Sequence, residues 1–212
     1  MQQRPLFISF EGCEGSGKST QSKLLFNWLQ VCGLKVVLTR EPGGTCSAEE
    51  IRRILLNKHM KFDSISQLLL HFVARNENVT NVIKPNLAQN YIVICDRYID
   101  STRAYQGYGS HVSLDIINTL HKLIIHDLEP DITFVMSVPI ETILNRINKK
   151  QNINDRYENL GRTFHENVAK GFQEIVKQNS CKYTLIDASG PIELTEKVIQ
   201  IKIATLLQLQ DA

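Results

Sequence analysis

The chain has 212 residues, of which 42% are hydrophobic and 22% are charged. This length is enough for one domain with a sizeable core, and the composition is that of an ordinary globular protein. The formal net charge is +2, so the composition gives no reason to expect binding to nucleic acid or to a membrane surface. No apolar run approaches the roughly 20 residues that a membrane-spanning helix needs. We therefore expect neither a nucleic-acid partner nor a membrane partner.

The five cysteines are scattered along the chain and form neither a Cys-x-x-Cys pair nor a zinc-binding spacing. The N-terminal residues run into the first predicted strand without a hydrophobic stretch of the kind found in signal peptides. Both observations favour a protein of the reducing cytoplasm, because free thiols persist there.

The first predicted elements surround a phosphate-binding motif. Residues Gly12–Ser19 follow the pattern of glycine, four residues, glycine, lysine and serine. The apolar run Leu6–Phe10 before the motif predicts a buried strand, and apolar residues at helical spacing from Leu24 to Cys32 predict a helix after it. In this order of elements, backbone N–H groups and a helix N-terminus bind phosphate. The alternative interpretation is a glycine-rich turn that joins a strand to a helix.

Further strands and helices follow in chain order. The other predicted strands are Lys35–Arg40, Tyr91–Cys95, Ile132–Val138 and Lys182–Asp187. Capping boxes at Ser47–Glu50 and Ser64–Gln67 predict the starts of two helices, the second of which continues to Val82 and bends or breaks near Pro85. Helices are also predicted over Leu114–Ile125, after Pro139, over Leu160–Lys177 and after Pro191.

Apolar strands that alternate with helices predict a parallel sheet covered on both faces. Ligands of such a sheet bind beyond the carboxyl ends of its strands. This edge is expected to bring together Glu11–Thr20, Arg40–Pro42 and Asp96–Arg97. No internal repeat or low-complexity linker divides the chain, so we expect one domain.

The phosphate loop predicts a bound nucleoside triphosphate. Charged residues at two strand ends indicate that a second ligand binds beside it. Asp96 follows an apolar strand. In phosphate-loop enzymes a carboxylate in this position holds Mg²⁺ or its waters. The alternative role for Asp96 is to cap the next turn. Arg97 and Arg40 stand at neighbouring strand ends, and the planar guanidinium group suits a phosphate. Each arginine alone is equally consistent with a surface ion pair. Together with Lys18 they indicate a second substrate that carries a phosphate.

Four blocks of the sequence resemble the thymidylate kinase family, in its bacterial branch. They are Phe10–Gly12 with the phosphate loop, Thr39–Thr45, Asp96–Tyr98 and Ala104–Gly107. The resemblance extends over essentially the whole chain. It implies a single domain over residues 1–212 with the P-loop NTPase fold, an α/β fold of three layers in which helices flank a five-stranded parallel sheet. It also implies transfer of the ATP γ-phosphoryl group to dTMP, giving dTDP and ADP, with Mg²⁺, in dTTP biosynthesis.

The resemblance further implies which residues bind each ligand. ATP would be held by the phosphate loop, namely Gly12, Cys13, Glu14, Gly15, Ser16, Gly17, Lys18, Ser19 and Thr20. Mg²⁺ would be held at Ser19 and Asp96. The residues for dTMP would be Glu14, Arg40, Pro42, His71, Phe72, Arg75, Arg97, Ser101, Thr102, Tyr105 and Gln106.

The resemblance also gives individual roles within the dTMP set. Glu14 would accept a hydrogen bond from the 3′-hydroxyl group, and Arg97 would hold the phosphate. Arg75 would reach a thymine carbonyl, and Thr102 would meet the base edge. Tyr105 would lie against the sugar, where it disfavours a ribose 2′-hydroxyl group. Without the resemblance, Arg75 would be interpreted as a solvated charge and Tyr105 as a packing residue.

The predicted base pocket departs from the family pattern at one position. Pro42 would line its wall on the methyl side of thymine. The family usually has an aromatic ring four residues before Arg75, where it stacks on the base; here His71 holds that place and Phe72 is its neighbour. Both residues lie near Arg75 on a helix. Either ring is therefore a candidate for stacking.

The expected catalytic residues are Lys18, Arg97 and Arg156. Some family members carry a mobile arginine in the phosphate loop, where this chain has Gly15. The bacterial type supplies this cation from a lid, which we expect at about residues 149–159. Arg156 is expected to close over the triphosphate and exclude water. The alternative interpretation of Arg156 is a solvated charge in a surface loop. The alternative interpretation of Arg146 is a charged residue on a helix face.

Other functions are open on the residues alone. A kinase for another nucleotide, such as dUMP or dCMP, or for a deoxynucleoside would share the fold, although two acceptor-side arginines favour a monophosphate. A GTP-dependent switch would need Asn-Lys-x-Asp, and the nearest run, Asn57–Met60, lacks the aspartate. A nucleic-acid-dependent ATPase would need a basic stripe, against which the near-neutral charge argues. The family resemblance also implies a homodimer that packs through helices on the flank of the sheet.

Overall fold

The computed structural model describes residues 3–149, 157, 160–178 and 181–209. Within these residues the strands are β1 (Leu6–Gly12), β2 (Val36–Arg40), β3 (Ile92–Asp96), β4 (Ile132–Ser137) and β5 (Tyr183–Asp187). The α-helices of the same ranges are α1 (Lys18–Val31), α2 (Cys46–Leu56), α3 (Ser64–Asn78), α4 (Lys84–Ala88), α5 (Ile99–Thr102), α6 (Leu114–Leu120), α7 (Ile140–Lys149), α8 (Arg162–Gln178) and α9 (Ile192–Leu207). π-Helical segments extend α3, α5 and α6 over Val79–Ile83, Arg103–Gly109 and His121–Ile125. None of these helices is both long and apolar enough to cross a bilayer.

The five strands form one parallel sheet in the order β2-β3-β1-β4-β5. β1 lies at its centre, and all seven of its residues are buried. On one side Phe10 pairs with Asp96 of β3, and on the other side Gly12 pairs with Met136 of β4. The carboxyl ends of β1 and its neighbours open the crevice in which such sheets bind ligands. The predicted five-stranded parallel sheet is confirmed.

Helices cover both faces of the sheet. Side chains alternate between the faces along a strand, so Phe10 joins one core and Phe7 joins the other. The first core is closed by α1 and α9, which contribute Leu25 and Ile199. The second core is closed by α3, which contributes Leu68. The predicted three-layer arrangement is therefore confirmed.

The capping boxes predict the wrong N-cap residue for both α2 and α3. α2 begins before Ser47, because the Thr45 hydroxyl accepts a hydrogen bond from the Ala48 N–H group at 3.1 Å. The cap of α3 is Asp63 and not Ser64, since the Asp63 carboxylate accepts two backbone N–H groups, both at 2.9 Å. In each case the residue just before the first turn satisfies the N–H groups that a helix start leaves free.

The helix predicted to reach Val82 continues past Pro85 with a change of type. α3 ends at Asn78, a wider π-helical segment follows, and Pro85 lies in the first turn of α4. A proline inside a continuous helix removes one backbone hydrogen bond, and the wider π-helical turn lies just before Pro85, where that bond is missing. The predicted bend near Pro85 corresponds to this change of helix type.

The predicted lid at about residues 149–159 lies almost entirely outside the described residues. Lys149 ends α7, and Tyr157 is described by itself. Arg156 is outside the described residues. Its closure over the triphosphate stays a prediction.

Candidate active site

A cavity of about 620 Å³ opens at the carboxyl edge of the sheet. The strand order brings the three predicted groups at the ends of β1, β2 and β3 to its wall. The predicted ligand-binding residues that line the cavity are Glu14, Gly15, Ser16, Gly17, Lys18, Ser19, Thr20, Arg40, Pro42, His71, Arg75, Asp96, Arg97, Ser101, Thr102, Tyr105 and Gln106. Gly12, Cys13 and Phe72 are not part of its wall.

The phosphate loop needs glycine where it leaves β1 and where it enters α1. Gly12 has φ +131°, and a Cβ atom there would lie 2.4 Å from the carbonyl oxygen of Met136. Gly17, the residue before α1, has φ +96°, a conformation that glycine adopts at little cost. The loop therefore turns so that the N-terminus of α1 joins the cavity wall. Its free N–H groups and the positive end of the helix dipole favour an anion there.

Lys18 begins α1 and is almost completely buried. Its Nζ atom donates hydrogen bonds to the carbonyl oxygen of Cys13 at 2.6 Å and to the hydroxyl group of Ser16 at 3.3 Å. Burial, followed by the charge of Arg97, lowers the pKa of Lys18 to about 8, while nearby carboxylates act in the opposite direction. A phosphate beside Nζ would favour the charged form of the lysine.

Arg146 on α7 is a cation of this site that was not predicted as a site residue. Its Nη1 atom donates a hydrogen bond to the carbonyl oxygen of Gly15 at 2.6 Å, and the side chain lines the cavity. The helix-face interpretation of Arg146 is therefore wrong. The sequence carries no signal for this contact, because it joins a side chain to a backbone oxygen 131 residues away.

Asp96 and Ser19 are the pair predicted to hold Mg²⁺. The Ser19 hydroxyl donates a hydrogen bond to Oδ2 of Asp96, and Oδ1 of the same carboxylate is buried without a hydrogen-bond partner among the described residues. Mg²⁺ prefers oxygen ligands and binds one or two carboxylates while keeping several waters. A carboxylate with a free oxygen beside a hydroxyl group fits that ion. Larger metal-binding clusters of histidine, cysteine, aspartate or glutamate are absent from the described part of the chain.

Arg97 leaves β3 in a left-handed conformation, with φ +73°. Its backbone N–H group donates to the carbonyl oxygen of Phe10 at 2.9 Å. Its guanidinium group donates to the carbonyl oxygen of Gly12 at 3.0 Å, to the Ser101 hydroxyl at 2.9 Å and to the Glu14 carboxylate at 2.7 Å. The ion pair with Glu14 leaves Arg97 in the cavity wall, because both side chains line it.

Glu11 is a buried acid behind this wall, and no role was predicted for it. The side chain is 0% exposed. One carboxyl oxygen accepts the N–H group of Tyr98 at 2.7 Å, and the other lies 2.5 Å from the hydroxyl oxygen of Ser101. Burial, followed by the charge of Asp100, raises the pKa of Glu11 to about 8, while the Arg97 charge and the hydrogen bonds act in the opposite direction. Glutamate within an apolar strand gives no sequence signal for such a contact.

A buried arginine occupies another part of the wall. Arg75 on α3 is 2% exposed, and its Nε atom donates to the Glu41 carboxylate at 2.7 Å. Its Nη2 atom donates to the Thr102 hydroxyl at 2.9 Å and to the Tyr98 carbonyl oxygen at 3.1 Å. Its Nη1 atom is buried without a hydrogen-bond partner among the described residues. A buried donor left unpaired is costly, so Nη1 is the atom of Arg75 with hydrogen-bonding capacity left over.

The structure distinguishes between the two rings that precede Arg75. His71 lines the cavity, whereas Phe72 is 1% exposed and packs in the core beneath α3. The predicted contact of Phe72 with the nucleotide is wrong, because neighbouring residues on a helix point about 100° apart and His71 takes the cavity side. Burial, followed by the charge of Arg75, lowers the pKa of His71 to about 3. The His71 imidazole is therefore a neutral ring at physiological pH.

Tyr157 is a wall residue that was not predicted. Its hydroxyl oxygen lies 2.8 Å from Nε2 of His71 and accepts a hydrogen bond from Nε2 of Gln106 at 3.1 Å. The tautomer of His71 decides which of the two groups donates in this contact. The Tyr157 ring also meets the ring of Tyr105 edge-on, with the centres 5.7 Å apart. These contacts join four side chains of one wall, those of His71, Tyr105, Gln106 and Tyr157.

Arg40 lies at the exposed mouth of the cavity. Its guanidinium group donates two hydrogen bonds to Glu49, at 2.9 and 3.2 Å, and about half of its side chain is exposed. The alternative interpretation of Arg40, a surface ion pair, therefore matches the structure.

Cys13 contributes to the site through its carbonyl oxygen, which accepts a hydrogen bond from Lys18.

The parallel sheet and the loop at its central strand place the protein among the phosphate-loop NTPases. The rest of the cavity is lined by Arg40, Arg52, Arg75 and Arg97, which suits a second ligand that carries negative charge. A family model described as thymidylate kinase matches residues 10–199. The chain belongs to the thymidylate kinase family, which confirms the resemblance in its sequence.

Individual relatives match over most of their length. A thymidylate kinase from Wolbachia pipientis wMel is 49% identical over 183 residues, which cover 85% of this chain and 90% of the relative. A thymidylate kinase from Pseudomonas fluorescens (strain Pf0-1) is 42% identical over 96% of this chain and 97% of its own. The crystal structure of thymidylate kinase from Ehrlichia chaffeensis aligns with a TM-score of 0.77 at 38% identity, over 94% of this chain and 98% of that one. The predicted fold is thus shared with a solved member of the family.

Proposed function

We propose that the protein transfers the γ-phosphoryl group of ATP to dTMP, giving dTDP and ADP, in a Mg²⁺-dependent step of dTTP biosynthesis. Family membership supports the reaction. The observation that carries the proposal is that one cavity joins a phosphate loop to a buried arginine whose Nη1 atom has no partner among the described residues. The loop suits a nucleotide donor, and the arginine suits a second nucleotide whose base presents an oxygen acceptor.

The phosphate loop supports ATP as the donor. Lys18 and the backbone of residues 12–20 would bind the β- and γ-phosphates. Arg146 contacts the loop and adds positive charge beside it. Ser19 and Asp96 would hold Mg²⁺, which neutralises phosphate charge when it is bound.

Arg97 supports a monophosphate as the acceptor. Its guanidinium group is held against Gly12 and Ser101 and pairs with Glu14. An incoming phosphate would compete with the Glu14 carboxylate for the guanidinium group. The carboxylate would then accept a hydrogen bond from the sugar 3′-hydroxyl group. Tyr105 lines the same wall and would lie against the sugar, where a ribose 2′-hydroxyl group is disfavoured.

Arg75 and Thr102 support thymine as the base. The Nη1 atom of Arg75 would donate to the O4 carbonyl of thymine. Cytosine carries an amino group at that position, so the arginine donor would face another donor and dCMP would be rejected. The Thr102 hydroxyl accepts from Arg75 and keeps its own proton for the base edge. His71 would offer its neutral ring for stacking, and Pro42 would line the methyl side.

Phosphoryl transfer requires that the protein position two phosphates in line and neutralise the negative charge that is distributed over their oxygens. Lys18 and Arg97 supply fixed cations on the two sides of the transferred group, and no covalent nucleophile is needed. Water is excluded as the substrates fill the cavity. Arg156 stays a prediction as an additional cation from the lid.

An ADP-release assay with Mg·ATP and a panel of acceptors tests the proposal. The panel is dTMP, dUMP, dCMP, UMP and AMP. We expect the highest activity with dTMP, lower activity with dUMP and negligible activity with the others. Preference for another nucleotide would overturn the assignment of the base contacts. ATP binding without acceptor-dependent turnover would overturn the kinase assignment and favour a nucleotide-dependent switch.

We also propose that the protein is a homodimer. Ile65, Leu69 and Val73 repeat every four residues along α3 and are all more than two-fifths exposed. Ile116 and Leu123 are exposed on α6 and the π-helical segment after it, which packs against α3. A second copy of this face would cover these apolar side chains.

Light scattering after size-exclusion chromatography tests the homodimer. Leu69→Glu should convert a dimer to a monomer, because it places a charge in the proposed interface. Leu194→Glu is the matched control, since Leu194 is an exposed leucine on α9. A monomeric wild-type protein, or dissociation by the α9 substitution alone, would contradict the proposal.

We place the protein in the cytoplasm. All five cysteines are free in the structure, and free thiols persist in reducing compartments. Fractionation of the source cells should recover the activity with cytoplasmic markers. Recovery with secreted or membrane markers would contradict this location.

A further inference from the structure

A continuous hydrogen-bonded chain links the core of the sheet to the guanidinium group of Arg97. It starts at Glu11 on β1, whose carboxyl group is fully buried and does not line the cavity. It passes through Ser101, whose hydroxyl oxygen lies 2.5 Å from the Glu11 carboxyl and accepts a hydrogen bond from Nη1 of Arg97 at 2.9 Å. Ser101 and Arg97 both line the cavity. A residue inside the sheet is thus connected by hydrogen bonds to two groups in the cavity wall.

The backbone of the same segment is also anchored to β1. Arg97 has a left-handed conformation, with φ +73°, which costs a residue other than glycine free energy unless its surroundings hold it. Its N–H group donates to the carbonyl oxygen of Phe10, and the next N–H group, that of Tyr98, donates to the Glu11 carboxyl. Glu11 therefore stabilises both the turn that presents Arg97 and the side chain that orients it.

We propose that Glu11 is a positioning residue for the acceptor phosphate, because its buried carboxyl group orients the Ser101 hydroxyl and, through it, the Arg97 guanidinium group. This inference rests on the proposed function, in which Arg97 holds the phosphate of dTMP. Glu11 touches neither substrate nor reacting atoms. It acts only through Ser101 and the Arg97 turn.

The hydrogen bonds of Ser101 fix the orientation of its hydroxyl group. The hydroxyl donates its single proton to Oε2 of Glu11 and accepts a hydrogen bond from Nη1 of Arg97. Burial, followed by the charge of Asp100, raises the pKa of Glu11 to about 8, while the Arg97 charge acts in the opposite direction. In either protonation state the Glu11 carboxyl group occupies one hydrogen-bonding direction of the hydroxyl, so that the Ser101 oxygen faces the Arg97 guanidinium group.

Paired substitutions separate this role from a general loss of structure. Glu11→Gln keeps an acceptor for the Tyr98 N–H group and a hydrogen-bond partner for Ser101, whereas Glu11→Ala removes both. Calorimetric titration of each variant with dTMP and with thymidine, which lacks the phosphate, isolates the phosphate contacts. Ser101→Ala is a second variant at a partly exposed position, where the fold is at less risk.

We expect Glu11→Ala and Ser101→Ala each to weaken dTMP binding by about tenfold or more, while thymidine binding changes by less than about twofold. Glu11→Gln should stay within about threefold of the wild type for both ligands. The double variant Glu11→Ala/Ser101→Ala should bind dTMP no more weakly than the worse single variant, because both substitutions break the same chain.

Equal weakening of dTMP and thymidine binding by Ser101→Ala and any folded Glu11→Ala protein would overturn the inference, since it indicates a loss of structure. Glu11→Gln binding as weakly as Glu11→Ala would also overturn it, since the hydrogen bonds to Ser101 and to the Tyr98 N–H group would then not be what positions Arg97. If the wild-type protein binds thymidine as tightly as dTMP, the proposed phosphate contact of Arg97 fails instead. The two failures are therefore distinguishable in one set of titrations.

Discussion

Arg75 and Glu41 form an ion pair of 2.7 Å in the cavity wall, and both side chains are almost completely buried, at 2% and 3% exposed. Burial raises the pKa of Glu41, while the Arg75 guanidinium group acts in the opposite direction. Asn78 donates a further hydrogen bond to this carboxylate at 3.3 Å. The pair fixes the plane of the guanidinium group, so that Nη1 faces a place where no described residue accepts its protons.

Removal of Glu41 should therefore destabilise the protein strongly. Glu41→Ala leaves the Arg75 charge buried without a counterion, and we expect a loss of about 3–5 kcal/mol in the free energy of unfolding, measured with urea. Glu49→Ala removes the partner of Arg40 at the exposed mouth and should cost less than about 1 kcal/mol. Similar losses for the two variants would contradict the account of the buried pair.

Replacement of Arg75 by lysine should affect the acceptor more than the donor. Lysine keeps a charge for Glu41 but cannot present several donors in one plane to Glu41, Thr102 and a base. We expect KM for dTMP to rise by on the order of 10–100-fold while KM for ATP stays within about twofold. Arg53→Lys on the exposed face of α2 is the control. An equal rise of both KM values would show that Arg75 is not specific to the acceptor.

The depressed pKa of His71 should make stability depend on pH. The folded protein binds no proton at His71 until the pH approaches about 3, whereas the unfolded chain binds one near 6.5. The unfolded state therefore binds more protons between these values, and stability falls as the pH drops below 6.5. Between pH 7 and pH 5 the wild type should lose about 2 kcal/mol more than His71→Phe. Equal losses of unfolding free energy for the two proteins between pH 7 and pH 5, measured with urea, would contradict the neutral, partly buried histidine.

Asp96 should determine the concentration of Mg²⁺ that the activity requires. Asp96→Asn keeps the shape of the side chain and removes its charge, so the concentration of free Mg²⁺ needed for half-maximal activity should rise by on the order of tenfold or more. Titrating Mg²⁺ at a fixed ATP concentration gives this value directly. Asp115→Asn, at an exposed aspartate of α6, should leave the titration unchanged. An unchanged titration for Asp96→Asn would remove this residue from the metal site.

Most of the fold could be predicted from local patterns. Each strand is an apolar run between turn residues, and the phosphate loop is a contiguous motif whose glycines and lysine have fixed offsets. The strand order β2-β3-β1-β4-β5 could not be predicted in this way, because an apolar run does not indicate which strands it pairs with. The caps were misassigned for a related reason: Thr45 and Asp63 lie just outside the capping boxes that suggested Ser47 and Ser64.

The site could be predicted only where a residue follows a strand or belongs to a motif. Lys18 and Asp96 meet that condition. Arg146 and Tyr157 do not, since they reach Gly15 and His71 across 131 and 86 residues of chain. Such contacts depend on how helices pack on the sheet, which a single sequence does not specify.

Transfer of a labelled phosphoryl group from ATP to dTMP tests the proposed kinase reaction itself. The protein is incubated with Mg²⁺, ATP labelled at its γ-phosphorus and dTMP, and the products are separated by chromatography. The label should move into dTDP in a one-to-one ratio with the ADP formed. Label that appears as inorganic phosphate without labelled dTDP would contradict the proposed reaction, because the cavity would then activate water and not a nucleotide acceptor.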